Sequence, residues 1–144
     1  MEYTWTKELE TGYQSMDEQH KQLVEALNSL LFACQHGSHR AELKTALEFL
    51  VAYTVKHFAD EEEFQGQHDY PEYERHKMLH DQFKIVASEL AERMVQEGPS
   101  IALIAEVYST IGDWLVKHIK GEDLKMAAWT AKVHSPSGKF AFLV

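Results

Sequence analysis

The sequence has one cysteine, Cys34. A disulfide framework is therefore excluded, and so is any cluster held by several thiolates. Proline and glycine are sparse, three and seven in 144 residues, and they cluster between long periodic segments. That pattern favours helices. No stretch approaches the ~18 consecutive apolar residues of a membrane span. The opening MEYTWTKELETGYQ has no basic region followed by an apolar run, so no signal peptide is visible. Basic residues are outnumbered, 14 Lys and Arg against 23 Asp and Glu, and the net charge of −9 argues against nucleic acid or an anionic membrane as the main partner. The expectation is one soluble, cytoplasmic domain over residues 1–144, long enough to bury a core.

Apolar residues at 44% and charged residues at 26% are ordinary for a globular chain. The nine histidines are many, and their positions are unusual. The stretch from Lys56 to Asp81 holds His57 with Glu61 and His76 with His80, each pair four residues apart. On a helix this spacing puts both members on one face, one turn apart. Imidazole and carboxylate suit a transition metal.

Hydrophobic periodicity places four helices around these pairs. The first starts near Ser15, where Ser15-Met16-Asp17-Glu18 fits a capping box. It carries Leu23, Val24, Leu27, Leu30, Leu31 and Cys34 inward and ends at Gly37, and His20 lies on the same stripe. The second runs from about Ser38 to Phe64, stopped by Gly66, and its inward face ends in His57, Phe58 and Glu61. The third opens at Pro71 and continues to about Glu97, before the stop signal Gly98-Pro99, with Tyr73, His76, His80, Phe83, Val86 or Ala87, Leu90 and Met94 inward. The fourth covers Ser100 to about Lys120, with Ile104, Val107, Ile111, Trp114, Leu115 and His118 inward. Asp123 follows His118 by five residues, an offset of ~140° on a continuous α-helix. Gly121 between them would let the backbone swing Asp123 back. A short helix from Leu124 to about Lys132 closes the core, leaving 133–144 as an irregular tail, and residues 1–14 read as an arm packed across the bundle. Short loops make the whole an all-α, antiparallel up-down-up-down four-helix bundle.

Taken singly, each inward histidine reads as a core residue bonded to a backbone carbonyl. Taken together, His20, His57, Glu61, His76, His80, His118 and Asp123 all fall at one end of an antiparallel bundle, and that levelling points to metal. Asp60, Glu62 and Glu63 read as a solvated acidic face. His36, His39, His68 and His134 read as surface residues.

The stretches TGYQSMDEQH, HFADEEEF, YPEYERHKMLHDQF and WLVKHIKGEDLKM resemble the hemerythrin family, specifically its bacterial hemerythrin-like domains. The resemblance spans most of residues 5–126. It implies a non-haem di-iron centre: His76, His80 and His118 on one iron, His20 and His57 on the other, with Glu61, Asp123 and an oxo or hydroxo group as bridges. It further implies reversible O₂ binding, with Leu23, Phe58, Trp114, Leu115 and Ile119 lining an O₂ pocket beside the ligands. The role would be carriage or storage, or sensing within a larger signalling protein, and not an enzyme's. The alternative is a di-iron enzyme acting on peroxide or nitric oxide.

Overall fold

The computed structural model describes residues 2–36, 40–98 and 100–134, and among these there is no strand. Helix α1 spans Gln14–Gln35, α2 Arg40–Gln67 and α3 Tyr73–Glu97. The fourth rod is composite. It consists of α4 (Ile101–Glu106), a π-helical segment (Val107–Gly112), α5 (Asp113–His118), a second π-helical segment (Ile119–Asp123) and α6 (Leu124–His134). The residues joining these pieces keep right-handed helical dihedrals. No described helix is long and apolar enough to cross a membrane.

The antiparallel bundle stands, and several boundaries differ from those the sequence predicts. The Ser15–Glu18 capping box does not form, since α1 is capped at Tyr13 without a side-chain bond. Instead Asp17 gathers the approaching chain: the Thr11 N–H and hydroxyl each donate to its Oδ1 at 2.8 Å, and the Gly12 N–H donates to Oδ2 at 3.3 Å. Gly66 does not stop α2. The chain reverses at Asp69, whose φ of 54° is left-handed, a conformation Asp tolerates better than most residues. Pro71 lies in the following turn, with the Tyr73 N–H bonded to the Tyr70 carbonyl at 3.1 Å, so α3 starts two residues later than expected. Gly98 does end α3, at φ 79°. Ser100 caps α4 by accepting from the Leu103 N–H at 3.0 Å. The expected short closing helix is α6, continuous with the fourth rod, and it takes in Val133 and His134. The expected stop at Gly37, the start at Ser38, His39, Pro99 and the tail 135–144 lie outside the described residues.

Among the described residues two apolar clusters build the core. The larger includes Leu23, Leu27, Leu30, Leu47, Leu50, Leu90, Met94, Leu103, Val107 and Ile111. Leu103 is buried where Ile104 is only partly so, and Ala87 faces inward while Val86 is exposed. Each fully buried leucine contributes ~1.5–3 kcal/mol from leaving water. The smaller cluster, Tyr13, Met16, Phe64, Tyr70, Met126 and Ala127, lies beyond the other end of the inward histidines. The N-terminal arm crosses the outside. The Tyr3 backbone exchanges bonds with the Asn28 amide at 2.9 and 2.8 Å, and its hydroxyl donates to the Tyr108 carbonyl and Asp113, each at 2.9 Å. Gly112 in the first π-helical segment leaves room for the Tyr3 ring, which a Cβ there would overlap.

Candidate metal centre

Between the two apolar clusters all seven expected residues meet. His20, Glu61, His76, His80 and Asp123 have no measurable exposure, and His57 and His118 are at most 5% exposed. Their placement follows from the four-residue spacing on α2 and α3 and from the antiparallel packing of consecutive helices. Asp123 arrives differently. The second π-helical segment takes one extra residue into its turn, so a residue five beyond His118 lands near the position that one four beyond would take on an α-helix. Gly121 is exposed within that segment.

The donors fall into two sets. The Nε2 atoms of His76 and His80 lie 3.0 and 3.1 Å from Nε2 of His118. Imidazole nitrogens held ~2.1 Å from one ion at right angles stand ~3.0 Å apart, so these three fit one face of a coordination sphere. Two further imidazoles, His20 and His57, pack edge to face with ring centroids 4.7 Å apart.

Both carboxylates are divided between the sets. Glu61 Oε1 lies 2.7 and 3.1 Å from Nε2 of His76 and His80, while Glu61 Oε2 lies 3.3 and 3.6 Å from Nε2 of His57 and His20. Asp123 Oδ1 lies 3.1 and 3.2 Å from Nε2 of His76 and His118, while Asp123 Oδ2 lies 3.0 Å from Nε2 of His20. Two groups able to hold a cation result, Glu61, His76, His80, His118 and Asp123 on one side and His20, His57, Glu61 and Asp123 on the other. Among the described residues, the buried Oε2 of Glu61, both oxygens of Asp123 and Nε2 of His20 make no hydrogen bond of good geometry, close as they lie to one another. Buried charge without partners is costly, and a cation on each side would remove that cost.

The electrostatics agree. Burial opposes charge on His20, His57, Glu61, His76, His118 and Asp123. At His20 and His76 the two carboxylates outweigh it and push the imidazoles up to about 9, and at His118 up to about 10. At His57 burial prevails and lowers the pKa. Burial likewise raises Glu61, but the surrounding imidazoles hold it well below the carboxylate range. At Asp123 burial and the Glu61 charge raise the pKa, yet His118 and His20 bring it below its ordinary value. Protons on the imidazoles thus favour ionised carboxylates in the cluster. Metal ions would serve the same end and displace those protons.

Leu23, Phe58, Leu115 and Ile119 are buried and Trp114 is partly buried, all packed in the larger cluster. Phe58 stacks on His80 with centroids 3.8 Å apart, and Trp114 stacks on His118 at 4.5 Å.

Three residues read as surface or passed over prove to belong to this region. Gln19 is buried and its Oε1 accepts from His57 Nδ1–H at 2.7 Å. Asp60 accepts from the Gln19 amide at 2.9 Å, and Glu62 accepts from His80 Nδ1–H at 2.9 Å. The acidic run is therefore not uniformly solvated, and only Glu63 in it is exposed. The signal available in the sequence was adjacency: Gln19 is the chain neighbour of His20, and Asp60 and Glu62 flank Glu61. His68 also departs from expectation. It is buried, donating Nδ1–H to the Phe64 carbonyl at 2.7 Å, because α2 continues past Gly66. His36 and His134 are exposed as expected.

Residues 11–130 match the family model described as the hemerythrin HHE cation binding domain. The chain is 36% identical over 119 residues to a bacteriohemerythrin of Pseudomonas paraeruginosa (strain DSM 24068 / PA7), covering 83% of this chain and 75% of that protein. Identity to a bacteriohemerythrin of Stenotrophomonas maltophilia (strain R551-3) is 33% over 137 residues, covering 95% and 85%. Identity to a myohemerythrin of Theromyzon tessulatum is 30% over 123 residues, covering 85% and 89%.

Proposed function

The chain belongs to the hemerythrin family, and from that premise we propose that its buried cluster is a non-haem di-iron centre that binds O₂ reversibly. The observation that carries the proposal is the division of the carboxylates. Glu61 and Asp123 each offer one oxygen to the His76, His80 and His118 set and the other to the His20 and His57 set. In this reading His76, His80 and His118 would hold one iron, His20 and His57 the other, and Glu61 and Asp123 would serve both. The His20 and His57 side offers one protein donor fewer and would be the side with room for a small ligand. When bound, the iron pair supplies two one-electron changes and the Lewis acidity with which O₂ is taken up and released.

The chain's own residues do the rest. Five neutral imidazoles and two carboxylates leave two divalent ions with a net charge of only +2, which an apolar bundle can hold. Leu23, Phe58, Leu115, Ile119 and the Trp114 ring form the wall of the proposed O₂ pocket and keep water away from it. With water kept out, few protons from solvent would reach the centre, which would favour release of O₂ over irreversible oxidation. The same binding event serves a carrier, a store or the sensory domain of a signalling protein. These uses differ in what reads the event, not in the centre.

The test is metal content with O₂ uptake. Anaerobically loaded protein should hold two irons per chain and take up one O₂ that is recovered when the pressure falls. Glu61→Ala should hold fewer than two irons, because the lost side chain serves both positions. Full iron content in Glu61→Ala, or O₂ consumed and not recovered by the unaltered protein, would contradict the proposal.

A further inference from the structure

The outer faces of the proposed ligands are not treated alike. On an α-helix successive residues are ~100° apart, so the neighbour of an inward ligand points into the seam with the adjacent helix. Gln19, before His20, points from α1 into the seam with α2 and meets His57. Glu62, after Glu61, points from α2 into the seam with α3 and meets His80. Consecutive glutamates thus hold both nitrogens of one imidazole, Glu61 Oε1 lying 3.1 Å from His80 Nε2 and Glu62 Oε2 2.9 Å from His80 Nδ1.

The two outer partners differ in charge. His80 donates to a carboxylate whose side chain is 14% exposed. His57 donates to a neutral amide at 2.7 Å. The orientation of that amide is fixed, because its NH₂ donates to Asp60 at 2.9 Å and only its oxygen is left for His57. The Asp60 charge is in turn matched by Lys56 at 2.8 Å. An imidazole that donates to a carboxylate is a stronger metal donor than one that donates to an amide. The stronger donor lies in the three-histidine set and the weaker in the two-histidine set.

We propose that Glu62 and Gln19 are positioning residues that give the two halves of the centre unequal one-electron potentials, lower at the three-histidine position. Glu62 acts through His80 and Gln19, held by Asp60, through His57. The inference rests on the di-iron reading. Each ion gives up one electron, the acceptor being O₂ in that reading and a mediator dye in the experiment.

Potentiometric titration of the iron-loaded protein, Glu62→Gln and Glu63→Gln tests it, with iron counted in each. Glutamine keeps an oxygen for His80 Nδ1–H and removes the charge. Glu63, exposed on the same turn, controls for net charge. Two separate one-electron steps are expected. The lower should rise in Glu62→Gln by the equivalent of a tenfold change in the oxidised-to-reduced ratio, ~59 mV, and neither step should move in Glu63→Gln. Loss of one iron in Glu62→Gln alone, restored in Glu62→Asp, would support the same assignment through affinity. With two irons in all three proteins, no shift in Glu62→Gln, or equal shifts in both variants, would overturn it. Fewer than two irons in the unaltered protein would remove the di-iron reading itself, and this proposal with it.

Discussion

A carboxylate as deeply buried as Glu61 or Asp123 requires positive charge beside it, and at the residue scale that requirement organises everything around the centre. Histidine answers it as either an imidazolium or a metal-bound neutral ring. The ligand-type residues were legible for this reason: Glu and His on an otherwise apolar stripe are tolerated only where a buried cation or proton meets them. Gln19, Asp60 and Glu62 were not legible as partners. Their types are common on solvated helix faces, and only the seam between helices selects them. The apolar residues carry a prediction of their own. Leu115 and Ile119 are 3% and 0% exposed in the cluster that packs beside the ligands. Leu115→Ala and Ile119→Ala should each speed irreversible oxidation of the iron-loaded protein in air several-fold by admitting water. The decay of its visible absorption measures this, and unchanged rates in both variants would contradict a water-excluding role.

At the scale of elements, the lengths and inward faces of the helices followed from periodicity, while their ends and irregularities did not. Gly66 reads as a stop, yet the reversal is made by Asp69, because helix termination depends on which residue takes the left-handed dihedral. A regular helical wheel turns Asp123 away from His118. Gly121 marked the irregularity without revealing its form, which is a π-helical segment that absorbs one residue. The other π-helical segment ends at Gly112, against the Tyr3 ring. Gly112→Ala should displace the arm and lower stability by ~1–3 kcal/mol, the range for an overpacked site. Combining it with Tyr3→Ala should recover much of that loss, since the two side chains would no longer collide. Denaturant unfolding of the two single variants and the double variant measures the coupling, and strictly additive effects would contradict the packing described.

At the scale of the molecule, the bundle sets the ligands at one level. Antiparallel order brings the starts of α1 and α3 beside the end of α2 and the His118–Asp123 stretch. Any chain with this order and these four ligand-bearing stretches would meet the same constraint, which is why fold and site were legible together. The centre then lies between two apolar clusters, screened from solvent on both sides. The measurement that tests this account most directly is the visible spectrum of the iron-loaded protein through repeated removal and readmission of O₂, with iron counted per chain. Two irons and an absorption that returns in every cycle are predicted. A single iron, or a spectrum that changes once and does not return, would contradict it.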